Sequence, residues 1–151
     1  MDESIINFRQ QSTWRLFGLG VITYGVYLAH YIKEQTGQFN KQMPPESVIP
    51  EGFANFILTV SYLSLALFFV YMTVDEQHPL AQLSNLVDLL SSISMIVWGF
   101  MASRRMNTRY GFERDSKHYF HWLWTFLFTP LYFNYKINCL CENLDDVSLE
   151  G

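Results

Sequence analysis

Charge is scarce in this chain of 151 residues: Asp, Glu, Lys and Arg together make up 16% of it, against roughly 25% in ordinary soluble domains. Half of the residues are hydrophobic and 17% are aromatic, so side chains that avoid water fill the gap. The familiar signatures of chemistry are missing as well. There is no Gly-rich phosphate loop, no H-E-x-x-H helix, no nucleophile elbow and no cluster of carboxylates on one helix. These absences argue against an enzyme, and neither a catalytic residue nor a cofactor is expected. Cysteine is limited to Cys139 and Cys141, which are too close in sequence to bridge each other well. A metal site joining them to His118 and His121 is not expected, because a straight helix would hold the two pairs a full membrane span apart. The opening residues, MDESIINFR, lack the basic region and the small-residue cleavage site of a signal peptide, so none is expected.

What charge there is lies between four apolar blocks: residues 14–32, 53–74, 83–102 and 119–135. Each is about 17 to 22 residues long, enough for a helix to cross a hydrocarbon layer of roughly 30 Å. The expectation is an all-α membrane protein, a single polytopic domain over residues 1–151 with about four hydrophobic helices in a bundle. The second block, Phe53 to Val74, contains no charge at all, and the third ends before Arg104 and Arg105, the usual flank of a cytoplasmic exit. Only a short polar turn separates the two, so they should form an antiparallel hairpin. A soluble helical bundle is the alternative.

The outer blocks resemble each other. The first holds Thr23-Tyr24-Gly25-Val26-Tyr27, then His30, Tyr31 and Lys33; the last holds Thr129-Pro130-Leu131-Tyr132, then Tyr135, Lys136 and Asn138. Each sets a helix breaker close to a threonine, followed by tyrosines and a basic exit, which suggests a faint internal repeat. Gly25 and Pro130 either kink a continuous span or turn each block into a re-entrant helix-break-helix. Non-helical backbone at membrane depth is allowed only where protein or a watery cavity covers it. The stretch from Ser12 to Lys33, with its Thr-x-Gly-x-Tyr, resembles the leading helix of a family of small bacterial multi-span inner-membrane proteins of uncharacterised function. That resemblance implies an inner-membrane location and no particular activity.

Basic residues set the topology. If all four blocks cross, residues 33–52 and 103–118 share one side and carry Lys33, Lys41, Arg104, Arg105, Arg109, Arg114 and Lys117, leaving Arg9, Arg15 and Lys136 opposite. If the outer blocks re-enter, all ten basic residues fall on one side. The positive-inside rule places both loops in the cytoplasm either way, with residues 75–82 on the other side. The side of the termini differs between the two readings.

Helical spacing then picks out candidate residues. His118, His121, Thr125, Thr129, Tyr132 and Lys136 recur at steps of three or four along the last block, which would give a continuous helix one polar stripe. Small and polar stripes also run through Gly18, Gly25 and Ala29, through Asn55, Thr59, Tyr62 and Ala66, and through Asp88, Ser92, Met95, Gly99 and Ser103. In lipid, close packing of small residues and hydrogen bonds between helices must replace the hydrophobic drive. Gly18, Gly25, Ala29, Ser92, Gly99, Thr125 and Thr129 are therefore candidates for helix packing or a partner interface. Arg15, Asp88, His118, His121, Tyr132 and Lys136 are the polar candidates within the membrane, where an ionisable group marks a functional site by default. Arg104, Arg105 and Arg109 are candidates for lipid headgroups. Nucleic acid is not expected, since that basic run is tied between two helices and the net charge is −4.

Three function classes fit. The first is a non-catalytic accessory or assembly subunit of a larger integral membrane complex, with membrane lipids and other membrane subunits as partners. The second is a homo-oligomeric channel or transport protein with a polar path along the fourth helix. The third is a lipid- or quinone-binding membrane protein.

Overall fold

The computed structural model describes residue 8 and residues 11–75 and 78–149, with side chains as far as Glu142. Among these residues six α-helices follow in order: α1 (Thr13–Ile22), α2 (Val26–Gln42), α3 (Glu51–Tyr71), α4 (Pro79–Arg109), α5 (Trp122–Phe128) and α6 (Leu131–Leu149), with a short 3-10 turn at Pro45–Ser47. No strand occurs among the described residues.

The two inner apolar blocks become α3 and α4, both long and apolar enough to cross a membrane. They pack as an antiparallel pair on a seam of small residues. Ala54, Ser61 and Ser64 of α3 and Ala81, Ser84, Ser91 and Ser94 of α4 are all buried, so the two backbones approach closely. The Ser61 and Ser91 hydroxyls lie 3.1 Å apart, and Ser61 and Ser94 also donate to their own helix at Ile57 and Leu90. This seam is not the expected α3 stripe: Asn55, Thr59, Tyr62 and Ala66 face outward. With 31 residues, α4 outruns its apolar block. Its last turns, from Trp98 to Met106, enter a core with Phe39, Met43, Ile49, Phe120, Phe133, Ile137 and Leu140.

The outer blocks are not continuous helices. At the first break, Tyr24 has φ 51° and Gly25 φ 86°, left-handed values that suit glycine and strain tyrosine. The Gly25 amide donates to the Gly20 carbonyl at 2.7 Å, closing α1 in the manner of a Schellman end. Thr23 serves both helices: its hydroxyl donates to the Leu19 carbonyl at 2.7 Å and accepts the Tyr27 amide at 2.9 Å. The second break falls at Thr129-Pro130, a cis peptide, and there the Thr129 hydroxyl donates to the Thr125 carbonyl. A threonine that bonds the carbonyl four residues back thus ends α1 and α5 alike, supplying from within the chain a partner that the broken helix loses.

Each broken block folds back on itself. Phe8, ahead of α1, meets Phe39 near the end of α2, with ring centroids 6.4 Å apart. The Tyr27 hydroxyl donates to Gln11 Oε1 at 3.1 Å. In the second hairpin the Tyr132 hydroxyl accepts the His121 amide at 3.2 Å, Lys136 Nζ donates to the Lys117 carbonyl, and Phe120 packs on Phe133 at 5.5 Å. Tyr27 and Tyr132 are each the second residue after the break, and each reaches back to the segment that leads into its hairpin. The internal similarity read in the sequence is therefore also a similarity of local structure. Asn134 and Asn138 of α6 tie the two hairpins together, both donating to the Gln11 carbonyl at 2.8 Å.

Thr23→Val keeps the shape of the side chain and removes both bonds at the break. Its melting temperature in detergent should fall, with a stability loss of roughly 1 to 3 kcal/mol for the unpaired backbone groups. Thr59→Val, on the exposed face of α3, should change little; equal melting of the two variants would show that Thr23 does not hold the break.

Candidate functional site at the two helix breaks

Both breaks lean on the middle of α4. Met95 Cε lies 3.9 Å from where a Cβ on Gly25 would stand, and Thr129 lies directly against Gly99. Between the two breaks and the α3–α4 pair opens a cavity of about 560 Å³. Its polar wall is Tyr24, Ser64, Asp88, Ser91, Ser92 and Thr129, while Phe17, Val21, Leu127 and Leu131 form an apolar rim.

Asp88 is the one acid in that wall. It is partly buried, accepts the Tyr24 hydroxyl at 2.9 Å on Oδ2, and accepts the Ser64 hydroxyl on Oδ1. Tyr24 is placed for this by the left-handed turn at the break and by stacking on Phe68 of α3 at 4.5 Å. A carboxylate offers about four acceptor positions, so two hydroxyls leave half of them open. Ser92 donates to the Asp88 backbone carbonyl at 2.9 Å, which keeps its oxygen lone pairs available as acceptors.

The structure sorts the sequence candidates. Asp88, Ser92, Gly25 and Thr129 meet at this cavity. Gly99 is buried and in close contact with Thr129. Ala29 is buried in the core. Thr125 is also buried, its hydroxyl 3.2 Å from that of Ser103. Gly18 does not belong to a tight seam, since nothing lies within 4 Å of a Cβ placed there; α1 folds back on the side of Gly20, where a Cβ would stand 2.8 Å from Leu28 Cγ. At Gly25 the constraint is the positive φ of 86° rather than crowding. Arg15 is exposed in the first turn of α1.

The stripe from His118 to Lys136 does not form along one helix, because the chain reverses at Thr129-Pro130. His121 is exposed just before α5, and its backbone amide bonds Tyr132. Lys136 is buried over the Phe120 ring, with its ammonium on the Lys117 carbonyl. Burial first, then the charges of Lys117 and Lys136, holds the His118 imidazole below its usual pKa. Arg104, Arg105 and Arg109 gather with Thr108 and Glu46 around a surface recess at the end of α4. Tyr24 and Ser64 were missed by sequence reasoning, and only the place of Tyr24 inside the Thr-x-Gly-x-Tyr run could have drawn notice to it.

Two helices long and apolar enough to cross a membrane, braced by two broken-helix hairpins and carrying one carboxylate where they meet, make an architecture that is all-helical among the described residues. The chain belongs to the DUF4234 family, a domain of unknown function, whose profile matches residues 11–108. The matched stretch includes the first break, Asp88 and Gly99, and leaves α5 and α6 outside it. Neither the curated proteins nor the solved structures contain a match to the chain.

Proposed function

We propose that the protein is a non-catalytic accessory or assembly subunit of a larger complex in a cell inner membrane, surrounded by lipids and by other integral membrane subunits. In this reading α3 and α4 cross the bilayer, and the two broken hairpins dip into it and return to the side they came from. Residues 33–52 and 103–118 are then cytoplasmic, and so are all ten basic residues; residues 75–82 face the opposite side. Trp14, Trp122 and Trp124, exposed near the starts of α1 and α5, suit the interfacial layer where tryptophan collects. Arg104, Arg105 and Arg109 suit anionic headgroups just below it.

The observation that carries the subunit reading is the uncovered tip of the first hairpin. At the first break Ile22 is 81% exposed, Val21 65% and Tyr24 38%; before the second break Leu127 and Phe128 are exposed as well, but Pro130 itself is buried. Irregular backbone inside a bilayer requires protein or water over it, and an apolar tip of this kind calls for protein. The channel reading lacks such support, because Thr125, Thr129, Tyr132 and Lys136 of the last block bond within the chain.

A photoreactive residue at Ile22, activated in cells, should crosslink to an unlike integral membrane protein, while one at Leu86, on the exposed face of α4, should not. Crosslinks between identical copies would favour the channel reading instead. Crosslinks to lipid alone would favour the lipid binder, and either result overturns the subunit assignment.

A further inference from the structure

The geometry points to the cavity at the two breaks as a binding site for a lipophilic monovalent cation, an ammonium group carried on an apolar body. The inference rests on the membrane placement proposed above but not on the subunit role. A negative charge in this wall is met only by neutral hydroxyls, those of Tyr24 and Ser64, and no basic side chain forms an ion pair with it among the described residues. A charge at membrane depth is costly without a partner, and a ligand that brings the opposite charge removes that cost. The open acceptors of Asp88, together with the hydroxyl oxygens of Ser92 and Thr129, line the same wall and match the N–H donors of an ammonium group.

The rest of the cavity fixes the remainder of the ligand. Its rim is Phe17, Val21, Leu127 and Leu131, of which Phe17, Val21 and Leu127 are exposed, so in the chain without a partner over the first hairpin the cavity opens through apolar side chains toward what would be lipid. At about 560 Å³ it falls within the range of small-molecule sites, roughly 300 to 1,000 Å³, and far exceeds a bare ion. A divalent metal is a poor fit as well, because the hard ions want about six or more oxygen ligands, carboxylates among them, and the wall has a single carboxylate. A cation with a hydrocarbon tail satisfies both halves of the cavity, arriving sideways from the membrane with its charge last.

Radiolabelled decylammonium tests this on the full-length protein, purified without partners and reconstituted in nanodiscs of zwitterionic lipid, with empty nanodiscs subtracted. Saturable binding to one site is expected, with decanol a poor competitor. Asp88→Asn keeps the size of the side chain and should weaken binding at least roughly tenfold, the usual scale for losing a charge-assisted hydrogen bond. Ile96 also lines the cavity, about two helical turns from Asp88 on α4, so Ile96→Trp should fill it and abolish binding while the melting temperature stays near that of the wild type. Binding that survives both substitutions, or that decanol displaces equally well, overturns the proposal. Since no partner is present, failure here would leave the crosslinks expected from Ile22 untouched.

Discussion

Gly99→Ala should release the α5–α6 hairpin from α4 and sharply lower the amount of protein held in membranes. A Cβ at this position would overlap Thr129 Cγ2 and stand 2.7 Å from Oγ1 and 3.1 Å from Cβ, inside any tolerable contact. Thr129 cannot simply turn aside, because its hydroxyl is engaged by the Thr125 carbonyl. Overpacking usually costs about 1 to 3 kcal/mol, and three close atoms put this case at the upper end. Gly18→Ala is the fitting control. With nothing within 4 Å, an added methyl there should be neutral or should stabilise α1 by up to about 1 kcal/mol through helix propensity. Adding Thr129→Ala to Gly99→Ala removes the two nearest atoms, so the double variant should recover most of the loss, a coupling readable as a double-mutant cycle. Equal melting temperatures for Gly99→Ala and Gly18→Ala would show that the hairpin does not sit where it is described.

Labelling of single cysteines from outside intact cells should divide the chain just as sharply. In a background with Cys139 and Cys141 replaced, a cysteine at His78 should react with an impermeant reagent, and cysteines at Gln42, Thr108 and Glu142 should not. Glu142 is the informative position. Four crossing helices would put it on the same side as His78, whereas a last block that reverses at Thr129-Pro130 returns it to the side of Gln42. It is exposed on α6, so silence there cannot be blamed on burial. Reaction at Glu142 from outside would mean that the last block crosses after all, and the assignment of all ten basic residues to one side would fall with it.

The two inner helices were legible in the sequence because a long and nearly uninterrupted apolar run favours one long helix. Residues 53–74 correspond to α3, and residues 83–102 lie inside α4. The extra turns of α4 were hidden, since Met106 belongs to a core assembled from distant parts of the chain and Asn107 bonds the Phe120 carbonyl. The sites of the breaks were also legible, because glycine and proline beside threonine announce them. The direction taken after each break was not: it depends on the backbone angles of Tyr24 and Gly25 and on contacts such as Phe8 with Phe39, which no periodicity encodes. For the same reason a face drawn on a straight helix chose Gly18 for a seam that in fact runs past Gly20. Asp88 stood out as an ionisable group in an apolar run, but its partner Tyr24 lies 64 residues away and became visible only once the first hairpin had closed.

Only seven residues, Met72 to His78, separate α3 from α4, and none of them is lysine or arginine. In the proposed topology this turn is the one stretch between α1 and α6 that has to be pushed through the bilayer during synthesis. The insertion machinery would meet α3 and α4 as one looped unit, with nothing bulky or cationic to translocate. The hairpins on either side could settle from the cytoplasm afterwards, α1–α2 against a pair already in place and α5–α6 last, as the ribosome releases them.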